Sequence, residues 1–148
     1  MSSVANPVLF QSPRLSLAGA DILVREALLQ AEAAGVRVAI SATDDAGQLI
    51  CSARMDGAPG VSTEISARKA LTAAQLKVET YRLQQLVDQH HPSYLAATSL
   101  CPIAGGVPIT MEGRTIGALG VSGADEGSDR RIAEEAVRKF MSQLGDDR

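Results

Sequence analysis

Three groups of residues in this sequence have the types and spacing to do chemistry. Arg54 and Asp56 flank Met55, placing a cation and an anion where a short strand gives way to a loop. An arginine in such a place clamps a carboxylate through two parallel hydrogen bonds, or it pairs with Asp56 or Asp129 and simply holds the loop. Lys69 sits within Ala67-Arg68-Lys69-Ala70-Leu71-Thr72-Ala73, off the apolar stripe of its helix. There it meets a carboxylate ligand, acts as an acid or base once desolvated, or remains a solvated or paired surface group. The third group is the run from Ala104 to Gly123, AGGVPITMEGRTIGALGVSG, dense in glycine yet strongly apolar in two segments. Glycine in a strand loses backbone entropy and offers no side chain to pack, so its repetition implies close approach of a helix or a ligand.

Within that run, Gly105-Gly106 ahead of Val107-Pro108 either opens backbone N–H groups to a ligand or permits a bend or bulge between strands. Ser122-Gly123, followed by Asp125, Ser128 and Asp129, suits an anion or carbonyl site where a strand meets a helix N-terminus. The same residues also suit helix capping, worth about 1 kcal/mol. Asp129 and Lys69 are the candidates for moving protons.

His90 and His91 are the only histidines and precede Pro92. They offer a haem axial ligand, a metal ligand or a solvent-facing loop. Successive side chains diverge and no third ligand stands at useful spacing, so no metal site is assigned. Cys51 and Cys101 likewise lack partners at metal-ligand spacing and read as reduced core thiols of a cytosolic protein. Asp44-Asp45 is better explained by turn chemistry than by a carboxylate pair. Nothing matches a phosphate loop, a dinucleotide fingerprint or a nucleophile elbow.

These candidates need elements to position them. A chain of 148 residues, 45% apolar but only 3% aromatic, implies one domain with a core of Ala, Val, Leu and Ile. A net charge of −3 with scattered basic residues gives no nucleic-acid footprint. No leader pattern and no bilayer-length apolar run is seen, so a soluble cytoplasmic protein without a membrane partner is expected.

Residues 1–15, with Pro7 and Pro13, read as an N-terminal arm ahead of a single domain over 16–148. The arm is placed to cross to a neighbouring subunit and line its pocket. Ala20, Leu23, Val24, Ala27, Leu28, Ala31 and Ala34 share a helical face, with Ser16 as N-cap and Gly35 as the stop. Val36, Val38 and Ile40 alternate into a strand, Asp44 to Gly47 turns, and Leu49 to Arg54 completes a hairpin. A helix capped by Ser62 or Thr63 carries Ala67, Ala70, Leu71, Ala74, Val78 and Tyr81 on one stripe. A shorter helix ends before Pro92, and a further helical turn fits Ser93 to Thr98. Strands follow near 100–103, 106–111 and 114–121, then a helix marked by Ile132, Ala133, Ala136, Val137 and Phe140. The order indicates an α+β fold with a mainly antiparallel sheet.

Taken in order, Asp44-x-x-Gly47, Arg54-Met55-Asp56-Gly57-Ala58, the Lys69 motif, Gly105-Gly106-Val107-Pro108-Ile109, Ile116 to Gly123 and Asp129 resemble the GlcG/HbpS-type domain. That domain is also found as the C-terminal part of PduO-type proteins, and the resemblance runs over about residues 16–144. It implies about five antiparallel strands flanked by helices, and homo-oligomers of two or more subunits. It also implies haem binding or degradation, corrinoid metabolism, or breakdown of aromatic hydroxylamines, and a shared fold does not choose among these.

Two ligand classes follow. One is haem or a related tetrapyrrole, with Arg54 and Lys69 as propionate partners and Asp56, Gly105, Gly106, Pro108, Ser122 and Gly123 around it. The other is a small carboxylate-bearing aromatic such as a hydroxylaminobenzoate, acted on by a cofactor-independent lyase. An accessory subunit without chemistry is the third reading.

Overall fold

The computed structural model describes residues 6–146, so the first five residues of the expected arm lie outside the described residues. Helix α1 (Leu17–Ala33) opens where the Ser16 hydroxyl accepts from Gly19 N–H at 3.1 Å. It closes with Gly35 at φ 70° while Val36 N–H reaches Ala31 O, a left-handed cap that glycine adopts freely. Strands β1 (Ala39–Asp44) and β2 (Leu49–Arg54) form the expected hairpin. Helices α2 (Ser62–Leu76) and α3 (Thr80–Asp88) and a 3-10 turn (Pro92–Ala96) follow. Strands β3 (Gly106–Met111) and β4 (Arg114–Ser122) and helix α4 (Glu126–Asp146) complete the chain.

The sheet runs β2-β1-β4-β3 with every pairing antiparallel. The α+β class therefore stands, with four strands among the described residues. The segment near 100–103 pairs with no strand. Its backbone is tied to α2 instead: Cys101 N–H donates to Thr72 Oγ1 at 2.9 Å, and Arg68 Nη2 donates to Thr98 O at 2.8 Å. Side-chain partners on a helix have satisfied a segment whose composition resembled a strand.

Alternation of side chains along the strands divides the molecule into three layers. Val38, Ile40, Ala42, Val107, Ile109, Leu119 and Val121 turn toward α1 and α4 and form the main apolar core. The other face meets α2 and is built from small and polar groups. There Ser66 Oγ and Ser41 Oγ share a hydrogen bond of 2.8 Å, and Ala73, Ala74 and Ala118 form a small second cluster.

That second face corrects the expected orientation of α2. Its buried residues are Ser62, Ser66, Lys69, Ala70, Thr72, Ala73 and Ala74, so Lys69 and Thr72 face inward. Apolar spacing alone misassigns this face because a hydroxyl buries once it is hydrogen-bonded, and an ammonium once it is paired with a carboxylate, as Lys69 is with Asp129. Neither Ser62 nor Thr63 caps α2; Ser62 begins the helix, buried beside Gly123.

The arm from residue 6 onward lies at the turn end of the sheet. Arg14 Nε approaches Asp45 Oδ1 at 3.1 Å, and Arg114 Nη1 donates to Gln11 O at 3.0 Å. Lys69 and Asp129 occupy the opposite end.

Candidate functional site

Strand β4 delivers Val121, Ser122 and Gly123 to the end of the sheet where α4 begins, and α2 crosses above them. Gly120 explains how close that crossing is: a Cβ there would overlap the Ser66 carbonyl and lie 2.8 Å from Ala70 N. Gly106 is covered in the same manner by the Lys69 carbonyl, with Thr80 Cγ2 beside it. Of the two expectations for these glycines, a close helix is the one the geometry supplies. They seat α2.

Seated so near, α2 delivers Lys69 into the end of the sheet. Lys69 is 1% exposed; its Nζ donates to Val121 O at 2.9 Å and to Asp129 Oδ2 at 3.2 Å. Asp129, in the first turn of α4, accepts on its other oxygen from Ala124 N–H at 3.0 Å. Burial pushes the Asp129 carboxyl above its ordinary value, opposed by the Lys69 charge and by backbone hydrogen bonds. Gly105, at φ 125°, lies over the pair: a Cβ would stand 2.5 Å from Val121 O, 3.0 Å from Lys69 Nζ and 3.2 Å from Asp129 Cβ.

Lys69, Gly105, Gly106, Ser122, Gly123 and Asp129 thus converge at one end of the sheet. Arg54 and Asp56 share that end through the Ala39–Arg54 and Ala39–Ser122 pairings, but both are exposed. Arg54 donates to Ala58 O at 3.2 Å, and the Asp129 partner is Lys69, not Arg54. Pro108 is half-buried on the edge strand β3, and His90 and His91 are exposed at the end of α3.

A cleft of about 450 Å³ is lined by Tyr81, Gln84, Ala104, Asp125, Glu126 and Arg130, chain neighbours of Gly105 and Asp129, while Lys69 and Asp129 themselves stay buried outside its lining. Arg130 stacks over Tyr81 at 3.7 Å, and its Nε lies 2.8 Å from Glu134 Oε1. Gln84 joins the cleft's walls, accepting from Ala104 N–H and donating to Glu126. Thr80 joins β3 to α3 by donating to Ile103 O at 2.6 Å and accepting from Gly106 N–H at 2.9 Å. Sequence reasoning missed Thr80, Gln84 and Arg130. Thr80 and Gln84 find their partners 20 or more positions away, and Arg130 stacks on Tyr81 from another helix; the local signals were a polar face on α3 and the i,i+4 spacing of Arg130 and Glu134 on α4.

The model of the family described as "Haem degrading protein HbpS-like" matches residues 15–138. The chain belongs to the HbpS-like family. Protein GlcG of Escherichia coli (strain K12) is 38% identical over 85 residues, 57% of this chain and 63% of GlcG, so the match spans less than two thirds of that relative. The crystal structure of Klebsiella pneumoniae protein ORFY superimposes with a TM-score of 0.85 at 29% identity, covering 94% of this chain and 98% of ORFY. The crystal structure of a PduOC:haem complex superimposes with a TM-score of 0.77 at 29% identity, covering 84% and 94% of the two chains.

Proposed function

We propose that this HbpS-like protein binds haem or a related tetrapyrrole. The observation that carries the reading is the likeness over most of both chains to a PduOC domain solved with haem. The donor chemistry of this chain is compatible with such a guest. Among the described residues no group of three or more His, Cys, Asp and Glu side chains is gathered to hold a bare metal ion. A porphyrin supplies four nitrogen donors itself and asks the protein for one axial group, commonly an imidazole. Two exposed imidazoles, His90 and His91, are present. Of the cations considered for the propionates, Lys69 is committed to Asp129, whereas Arg54 is exposed. Haemin titration of the purified protein tests the reading: a saturable Soret change at micromolar haemin supports it, and none removes it.

The buried Lys69–Asp129 pair favours a second reading, a cofactor-independent lyase for a small carboxylate-bearing aromatic. Here Asp129 and Lys69 exchange the proton, and Gly105, Gly106, Pro108, Ser122 and Gly123 frame the substrate, with Arg54 and Asp56 at the rim. Ammonia release from a hydroxylaminobenzoate, surviving a chelator and lost in Asp129→Asn, would support it. No turnover under those conditions would remove it.

Both readings include self-association. Val8, Leu9 and Phe10 are 85%, 61% and 87% exposed, and Leu17, Ile22 and Leu29 remain exposed on α1. Consecutive exposed apolar residues of this kind favour a second copy as cover. Light scattering that reports a monomer would remove this part.

A further inference from the structure

We infer that the cleft between α3 and α4 is a binding site for a small zwitterion carrying one carboxylate and one ammonium, separate from the haem and lyase readings. Helix α3 supplies Tyr81 and Gln84 to its walls, three positions apart, and α4 supplies Glu126 and Arg130, four apart. Residues at those spacings stand side by side on a helix. Ala104 adds a small wall, held by its N–H to Gln84 Oε1 at 2.7 Å. The volume of about 450 Å³ suits a small molecule.

Glu126 and Arg130 have the order and spacing that favour an ion pair along a helix, yet they do not pair. Arg130 Nε lies instead 2.8 Å from Glu134 Oε1 and 3.6 Å from Glu79 Oε1, and its guanidinium carbon sits 3.7 Å from the Tyr81 ring centre. Glu126 accepts on Oε2 from Gln84 Nε2 at 2.6 Å. A cation and an anion thus line one cleft while α3 holds them apart. Among the described residues no hydrogen bond engages the Arg130 Nη groups or Glu126 Oε1. Those Nη groups can clasp a carboxylate by two parallel bonds, and the free carboxylate oxygen can accept from an ammonium.

The surrounding carboxylates decide against simpler guests. Asp125 lines the same cleft with both oxygens bonded to Ser128, and Glu79 and Glu134 flank Arg130. A bare anion therefore meets more negative charge than positive. A bare cation leaves the Arg130 donors unmatched and is repelled by them. Only a molecule with both charges answers both walls.

γ-Aminobutyrate is the probe, with butyrate and butylamine as controls lacking one charge each. Titrated into the isotope-labelled full chain and followed by nuclear magnetic resonance, it should give saturable shifts at the Gln84 side-chain amide and the Ala104 N–H. Each control forgoes a charge-assisted hydrogen bond and should bind about tenfold or more weakly. Arg130→Lys keeps a positive charge near Glu134 but loses the planar fork, and should weaken γ-aminobutyrate by a similar factor. Glu126→Gln removes the charge from an exposed residue and keeps an acceptor for Gln84, so its circular dichroism should stay native while binding falls. No saturable shift with the native chain would overturn the site. Butyrate or butylamine binding as tightly as γ-aminobutyrate would overturn the two-charge assignment. Native affinity in Glu126→Gln would overturn it equally, whether or not Arg130→Lys folds.

Discussion

Replacing Lys69 by methionine keeps a stem of similar length and removes the ammonium. Asp129, 3% exposed, then loses its ion-pair partner while keeping the Ala124 N–H on its other oxygen, and the Val121 carbonyl loses the Nζ donor. Removing one member of a buried pair costs about 3–5 kcal/mol, because the survivor stays charged and poorly compensated. For a domain of this size that corresponds to a fall in Tm of about 6–20 °C. The cost depends on pH. Burial already raises the Asp129 carboxyl above the ordinary 3.8, and the Lys69 charge is the largest influence opposing the rise. A carboxyl raised on folding binds its proton more tightly in the native state. Its contribution is therefore most favourable below the unfolded pKa and is lost as pH rises through the folded one. K69M should accordingly be weakest near neutral pH and regain stability as the solution is acidified. The double variant K69M/D129N removes both charges and should recover much of the loss, with a coupling energy of about 2 kcal/mol or more. Urea denaturation followed by circular dichroism, at neutral and mildly acidic pH, measures all four corners of the cycle. A K69M protein within about 0.5 kcal/mol of native, or strictly additive single variants, would refute the claim that a buried ion pair ties α2 to α4.

Gly120→Ala should destabilise by about 1–3 kcal/mol or more, since its Cβ meets the α2 backbone, which cannot yield as a side-chain tip would. Gly60→Ala, with nothing within 4 Å and no positive φ, should instead stabilise by about 0.4–1 kcal/mol; chemical denaturation reads both. Ser16→Ala removes the α1 cap and should cost about 1 kcal/mol in the same assay, and a neutral result would discount the hydroxyl bond to Gly19 N–H. Glu79 is raised above 4.5, chiefly by burial and then by its hydrogen bond with Glu134. Its contribution is therefore present below that value and lost as pH rises through the folded pKa, and Glu79→Gln should flatten the pH–stability curve in that window. Asp125 is lowered from 3.8 by its hydrogen bonds to Ser128, so its contribution is present above that value and fades on acidification; Asp125→Ala should remove this acid limb.

The outer helices and the hairpins were legible because their signals are local. Ser16 and Gly35 bound α1 as their chemistry requires, and Glu112-Gly113 turns β3 into β4 with both residues at positive φ. The apolar spacing of α4 likewise leads to Ile132, Ala133, Ala136 and Phe140 in the core. What failed was the inward face of α2. Lys69 and Thr72 count as polar in any periodicity, yet each reaches a buried partner more than 25 positions away, Val121 and Cys101. That no fifth strand forms among the described residues has the same origin, a tether through Arg68 and Thr72 that no local pattern encodes. The convergence of Lys69, Gly105, Gly106, Ser122 and Asp129 was half legible. The residues stood out singly, but their joint placement needs the β4–β3 pairing and the close crossing of α2.

That crossing has a consequence for where a guest can be held. Glycine repeated in strands implies close approach, and here the approaching body is the protein's own α2, with Gly106 under the Lys69 carbonyl and Gly120 under that of Ser66. The main chain so covered offers no open face to a flat macrocycle. The pair beneath it, 1% and 3% exposed, already satisfies its own charges. The end of the sheet thus works first as a clasp that joins α2, β4 and α4.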